Sequence, residues 1–111
     1  MKNISLQDIK ATTTSHNAAG RKKQLIAPGE IPHLVQFAQT TLIPGEVVAR
    51  HKHTDLYEIF FVESGSGVIR INEKENALGK GICITVEPDE QHEIENTGKT
   101  KLKLTYFAVK V

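Results

Sequence analysis

Turn-forming residues interrupt this 111-residue chain at short and regular intervals from residue 24 onward, and short apolar runs lie between them. Strands separated by turn signals at about 8–12-residue spacing are typical of an all-β sandwich or barrel. Little helix is expected, because no segment shows the ~3.6-residue apolar period of an amphipathic helix. The expected strands lie near residues 24–27, 33–42, 46–53, 58–63, 67–72, 82–86, 91–96 and 101–109.

The chain is short enough to form one domain. Residues 1–23 show no sustained period and are predicted to form a loose N-terminal arm, while residues 24–111 are predicted to form a single barrel domain. The first residues lack the apolar core of a secretory signal, and no apolar run reaches the ~18 residues of a membrane helix. We therefore expect a cytoplasmic protein with no membrane partner.

Fourteen basic and thirteen acidic residues are interspersed, and the formal net charge is +1. This distribution argues against a nucleic-acid partner. The short basic run at residues 20–24 is interpreted as a solvated loop. Cys83, the single cysteine, lies in an apolar run and is predicted to be a buried small hydrophobe.

Alternation within the strands indicates which side chains share a face, because residues two apart point the same way. In 46–53 the charged set should face water, so the other set should face the interior: Val47, Ala49, His51 and His53. In 91–96 the same argument directs His92 inward. In 58–63, Glu58 would face inward while Ile59 and Phe61 face outward. Apolar side chains on an outer face need a cover, either the N-terminal arm or a second subunit.

Four inward polar residues are candidate metal ligands: His51, His53, Glu58 and His92. Residues 54–57 are predicted to form a hairpin loop that returns the chain antiparallel and brings the glutamate to the first two histidines. Taken singly, an inward histidine is more often hydrogen-bonded in a core, and the glutamate would pair with Arg70 or Lys74. Taken together, they would leave several buried polar groups unsatisfied without a cation, which favours a divalent metal.

Glycines frame these residues at defined distances. Gly45, His51, His53, Glu58 and Gly65 are separated by five, one, four and six residues. This spacing resembles the first motif of the cupin superfamily. The second cupin motif is matched by Gly81, His92 and Asn96. Two positions depart from it: Glu87 stands where that motif has proline, and Asp89 where it has glycine.

The resemblance implies a double-stranded β-helix, or jelly-roll barrel, with one metal held by His51, His53, Glu58 and His92. It also implies a homodimer, since many cupins exchange an N-terminal strand. Three nitrogens and one carboxylate oxygen suit Fe, Mn, Ni or Zn. Bound to a divalent ion, this set carries a charge of about +1, which favours an anionic or chelating ligand. Phe60, Leu104 and Tyr106 are expected to line the barrel mouth, with Gln39 as a hydrogen-bonding group if it faces inward.

Several functions are compatible with such a site. A metal-dependent enzyme of oxygenase or isomerase/lyase type, acting on a small polar or anionic molecule, is predicted first; no catalytic side chain is assigned. The alternative is a non-enzymatic module that binds a sugar or metabolite. A third reading is a metal-stabilised structural dimer. His16 and His33 fit neither motif and are not predicted to be ligands.

Overall fold

The computed structural model describes residues 1–13 and 21–111. Leu6–Asp8 forms a single 3₁₀ turn. Nine strands follow within residues 21–111, numbered in chain order: β1 Lys23–Ile26, β2 Leu34–Leu42, β3 Val47–His51, β4 Leu56–Ser64, β5 Ser66–Ile71, β6 Lys74–Gly79, β7 Cys83–Val86, β8 His92–Glu95 and β9 Leu102–Lys110. No helix among the described residues has the length and apolar character needed to span a bilayer.

The strands form two sheets. The larger has the order β1-β2-β9-β4-β7, and the smaller has the order β3-β8-β5-β6. Every pairing in both sheets is antiparallel. The predicted all-β barrel is therefore confirmed.

The inner faces of both sheets supply the core. Strands β8 and β9 alternate between buried and solvent-facing residues, as the sequence predicted. The larger sheet contributes most of the buried apolar side chains, and the smaller sheet contributes Ile69, Leu78 and Ile94. Because this core fills one end of the barrel with aliphatic side chains, the polar inward residues are left at the other end.

Strand β6 was not predicted, because its sequence is polar and its ends read as turn signals. The connection between β5 and β6 is only two residues long, and Asn72 and Glu73 both adopt positive φ, 49° and 70°. Positive φ at both central residues is the type I′ hairpin geometry that matches strand twist. Without glycine at either position, the polar run at residues 72–76 reads as a longer turn instead of a two-residue hairpin, and the strand after the turn was missed.

The N-terminal segment makes specific contacts with the barrel. Thr12 and Lys22 exchange backbone hydrogen bonds of 2.8 and 3.0 Å. Strand β1 begins at Lys23 and pairs with β2. The division into an arm of residues 1–23 and a barrel of residues 24–111 stays a prediction, and His16 lies outside the described residues.

The outer face of the larger sheet is apolar over several strands. Phe61 is 40% exposed, as predicted for an outward side chain. Phe37 and Phe107 contact each other edge to face on the same side, with ring centroids 6.4 Å apart. Cys83 is exposed, so its predicted burial is wrong: it pairs with Phe61 across β4 and β7 and shares that outward face.

Candidate metal centre

The two sheets bring the four predicted residues to one place. His51 ends β3, His92 begins β8, and the two are direct cross-strand partners in the smaller sheet. Glu58 faces them from β4 in the larger sheet, and His53 lies in the connection between β3 and β4. The predicted hairpin is therefore wrong. Residues 52–55 cross from one sheet to the other, so the glutamate approaches the histidines across the barrel interior.

A β-bulge aims the first histidine. The pairing of β3 with β8 shifts register between Val48 and His51. Val48 packs against the core and Val47 is exposed, which is the opposite of the predicted alternation. The bulge adds one residue to β3, so the residues after it face the opposite side from the one that simple alternation would give them. His51 therefore points inward, as Val48 does. The prediction was right for the histidine and wrong for Val47 and Ala49, which were grouped with it and are exposed.

The turn before His92 has positive φ at the position where the second motif has glycine. Asp89, which replaces the motif glycine, has φ 70°. Aspartate enters this left-handed region more readily than most residues. The Asp89 backbone N–H donates to the His53 carbonyl at 2.7 Å. This bond joins the loop that precedes one histidine to the loop that carries another, so both loops are held together at the site.

All three imidazoles converge on one carboxylate oxygen. Glu58 Oε1 lies 3.0 Å from Nε2 of His92, 3.2 Å from Nε2 of His53 and 3.9 Å from Nε2 of His51. One donor atom from each of the four residues lies within 4.8 Å of every other. Ligand atoms that each lie ~2.1 Å from a common ion are about 3 to 4 Å apart. The cluster therefore fits a single small metal ion.

Backbone carbonyls fix the orientation of two of the rings. Nδ1 of His51 lies 2.8 Å from the Ala49 carbonyl oxygen, and Nδ1 of His92 lies 3.0 Å from that of Glu90. A carbonyl oxygen can only accept, so both Nδ1 atoms carry hydrogen. In the neutral form, each ring then has its lone pair on Nε2, the atom that faces Glu58. This is the tautomer that a metal-binding histidine needs.

The contacts at Glu58 require positive charge. A neutral His92 would direct an Nε2 lone pair at a carboxylate oxygen only 3.0 Å away. Two acceptors at this distance repel each other unless a proton or a metal ion lies between them. Among the described residues no buried side-chain nitrogen or oxygen lacks a partner. The sequence argument from unsatisfied groups is therefore wrong as stated, and the need for a cation arises from charge instead.

The ionisation of Glu58 and His92 reflects this coupling. Burial by itself would raise the pKa of Glu58, but the His92 hydrogen bond and the charges of the three histidines outweigh it and lower that pKa. Burial by itself would lower the pKa of His92, but the hydrogen bonds to Glu58 and to the Glu90 carbonyl outweigh it and raise that pKa. The metal-free protein thus favours a carboxylate beside an imidazolium.

Aromatic side chains border the cluster on the inner face of the larger sheet. Phe60 and Tyr106 stack with ring centroids 5.5 Å apart, and the Phe60 ring lies 6.2 Å from the His92 ring. Burial, together with the Glu58 charge, raises the pKa of Tyr106 to about 12. Leu104 is fully buried in the core. Gln39 faces the outer side, because its neighbour Ala38 is buried inward, and it does not reach the cluster.

Two polar residues near the cluster were missed by sequence reasoning. Lys22, read as part of a solvated loop, is half-buried, and its Nζ donates to Gln36 Oε1 at 2.5 Å. Gln36 lies on the inner face, since it pairs with the buried Ala108. Gln36 shares this face with Ala38, two residues further along β2, and the register shift lies before it, between Leu34 and Gln36. Simple alternation along β2 therefore gives the orientation of Gln36 but does not pair it with Lys22.

A family model described as a cupin domain matches residues 38–109. An oxalate-binding protein of Thermotoga maritima is 41% identical over 68 residues, which cover 60% of this chain and 55% of that protein. The tetracenomycin polyketide synthase protein TcmJ of Streptomyces glaucescens is 28% identical over 93 residues, covering 83% and 62%. The chain thus spans roughly 55 to 62% of the length of these two relatives.

Solved structures share the same architecture. The crystal structure of a predicted oxalate decarboxylase from T. maritima superimposes with a TM-score of 0.90 at 26% identity, covering 99% of this chain and all of that one. The polyketide cyclase RemF of Streptomyces resistomycificus has a TM-score of 0.81 at 21% identity, covering 98% and 79%. The motif spacing, the two-sheet barrel and the family match agree, and the chain belongs to the cupin family.

Proposed function

We propose that His51, His53, Glu58 and His92 hold one divalent transition metal. The observation that supports this most directly is the convergence of three imidazole Nε2 atoms on a single carboxylate oxygen. Three nitrogens and one oxygen form a borderline ligand set that suits Fe, Mn, Ni or Zn. A bound ion of this kind supplies Lewis acidity and open positions for an oxygen ligand.

Metal analysis of the protein purified without metal supplementation tests this proposal. We expect about one equivalent of one transition metal, and loss of that metal in a variant that carries both His51→Ala and His92→Ala. A metal-free wild-type protein that also fails to take up Mn²⁺, Fe²⁺, Ni²⁺ or Zn²⁺ in titration would contradict it.

We further propose that the metal centre binds a small carboxylate, with oxalate as the first ligand to test. Three neutral histidines, one carboxylate and a divalent ion leave a charge of about +1, which attracts an anion. The T. maritima relative named as an oxalate-binding protein supports this ligand class. Calorimetric titration with oxalate should give saturable binding to the metal-loaded protein and none after chelation of the metal. Equal binding with and without metal would contradict the proposal.

A lyase reaction on the same ligand is the second candidate, favoured by the similarity to a predicted oxalate decarboxylase over 99% of the chain. In that reaction, the oxalate monoanion loses its carbon–carbon bond and yields carbon dioxide and formate. Formate production from ¹³C-oxalate, followed by NMR, distinguishes turnover from binding. The Glu58→Ala variant is the control. If wild-type protein binds oxalate but forms no more formate than this variant, the binding function stands alone.

We also propose that the chain forms a homodimer through the outer face of its larger sheet. The exposed Phe61 and the neighbouring Phe37–Phe107 pair supply an apolar surface there. Sedimentation equilibrium should give a dimer mass for the wild type and a monomer for Phe61→Lys. Glu73→Lys, at the exposed turn between β5 and β6, is the matched control and should remain dimeric.

A further inference from the structure

A lysine ammonium lies on the same inner face as the metal-site glutamate. Lys22 is half-buried, although lysine is ordinarily a surface residue. Burial lowers the pKa of Lys22, and the Glu58 carboxylate is the charge that opposes this shift. Thr12 holds the Lys22 backbone through two hydrogen bonds. The N-terminal segment thus holds the Lys22 backbone, and the hydrogen bond to Gln36 holds its ammonium group.

Register places this lysine relative to the metal centre. Gln36, which accepts the hydrogen bond from Lys22, pairs with Ala108 on β9. Ala108 in turn pairs with Glu58 on β4. Cross-strand partners share a face, so the three residues form one row on the inner side of the sheet. Two strand spacings separate the backbones of Gln36 and Glu58, which is roughly 10 Å.

The residue in the middle of this row is small. Ala108 contributes only a methyl group, so no side chain of β9 blocks the space between the Lys22–Gln36 pair and Glu58. The next row along the same strands contains Tyr106 and Phe60, whose stacked rings form an apolar wall. The interior therefore has the Lys22 ammonium and the Gln36 amide on one side and the four candidate metal ligands on the other. Apolar side chains lie beside both.

We propose that Lys22 and Gln36 bind one carboxylate of a small dicarboxylate, and that its other carboxylate lies at the proposed metal centre. This assignment rests on the proposed metal-dependent carboxylate function. A lysine ammonium has three N–H donors and Gln36 accepts from only one of them, while the Gln36 amide nitrogen adds two donors. Charge-assisted hydrogen bonds to a carboxylate are the strong class. The pair therefore selects a dianion over a monocarboxylate.

Calorimetric titration of the Mn²⁺-loaded protein with oxalate, malonate and acetate tests this role. Lys22→Met should weaken oxalate or malonate binding at least tenfold, change acetate binding less than threefold, and leave Mn²⁺ binding at least as tight as in the wild type, because it removes a positive charge near Glu58. Lys22→Arg, which keeps the charge, should recover most of the dicarboxylate affinity. Lys23→Met is the matched control: the Lys23 ammonium donates to the Leu6 carbonyl, and its removal should leave all three affinities unchanged.

The outcomes separate the two proposals. If the wild type binds neither Mn²⁺ nor any of the three carboxylates, the proposed function fails and this assignment fails with it. If the wild type binds Mn²⁺ and oxalate and Lys22→Met binds both dicarboxylates equally well, only the assignment of Lys22 is overturned. Equal weakening of oxalate and acetate would also overturn it, because the lysine would then act on every anion through its long-range charge. Thermal unfolding of each variant verifies that the fold is intact.

Discussion

His92 and Asn96 stand four residues apart, at the start of β8 and just beyond its end, and they are equally buried, with about 1% of each exposed. Both match the second cupin motif, yet their surroundings differ. Asn96 Nδ2 donates to the carbonyls of Leu42 and Thr100 at 2.8 and 2.9 Å, and its Oδ1 accepts from Gly98 N–H at 2.9 Å. Each of these contacts joins a donor to an acceptor.

At His92 only half of the side chain is satisfied in this way. Nδ1 donates to a backbone carbonyl, whereas Nε2 faces a carboxylate oxygen that two other imidazoles also approach. Buried polar groups that pair with complementary backbone groups stabilise the barrel and need no ligand. Buried polar groups that converge on one another need an added charge. The first arrangement ties the end of β8 to Leu42 on β2 and to the loop before β9, and the second produces the candidate metal centre.

The largest expected effect is on the Asn96 side of this comparison. Asn96→Ala removes three hydrogen bonds to backbone groups, one of them at the buried Leu42, which should lower the free energy of unfolding by about 3 kcal/mol at about 1 kcal/mol each. Metal affinity per folded molecule should change less than about twofold, because the residue contacts none of the four cluster side chains. Urea unfolding and metal titration measure the two quantities. If Asn96→Ala lost metal while its stability stayed unchanged, the proposed separation between a stabilising Asn96 and a metal-binding cluster would be wrong.

The second effect is on metal binding. His92→Ala should lower metal affinity by about one to two orders of magnitude, roughly the scale seen when metal-site partners are perturbed. His33→Ala is the matched control, because His33 is exposed and lies outside the cluster. Competition with a chelator of known affinity measures both variants. Full metal affinity in the His92 variant would remove this residue from the ligand set.

A smaller effect concerns pH in the metal-free protein. The lowered pKa of Glu58 contributes stability above its usual value of 4.5, and this contribution is lost as pH falls through the folded-state pKa. The raised pKa of His92 contributes stability below its usual value of 6.5, and this is lost as pH rises through the folded-state pKa. The stability difference between wild type and Glu58→Gln should therefore be greatest between these two values. Denaturant unfolding in the presence of a chelator, from pH 4 to 9, measures it.

Metal affinity should show the opposite trend, because the ion competes with protons for the same imidazoles. It should rise from pH 5.5 to pH 8. A metal affinity that does not change over this range would mean that the histidines are not the ligands.

The smallest effect is expected on the outer face. Cys83→Ser changes an exposed side chain that faces away from both ends of the barrel interior. The free energy of unfolding should change by less than about 0.5 kcal/mol, and metal content should not change. Urea unfolding at low protein concentration is the measurement. If the free energy of unfolding fell by several times that amount, the outer face would contribute to stability as the buried inner face does, and the expectation would be wrong.

Sequence reasoning identified the barrel and the four clustered residues because both depend on local spacing. It missed strand β6, whose turn at Asn72 and Glu73 needs positive φ without any glycine to indicate it. It also assigned Val47 and Val48 to the wrong faces, because a bulge shifts the register before His51. Cys83 was misplaced because a short apolar run reads as buried on both faces, whereas the face of β7 that carries Cys83 is open to solvent. Register is a property of strand pairs, and a single strand does not encode it.

The pairing of Thr12 with Lys22 has a consequence for how fragments of this protein are chosen. A fragment trimmed to the family match at 38–109 would retain every clustered histidine and the glutamate, but would omit Lys22 and Gln36. Such a fragment would lack the two side chains that are proposed to choose the ligand. If selectivity resides upstream of the shared motifs, then proteins grouped by those motifs share the clustered residues and differ in what they recognise.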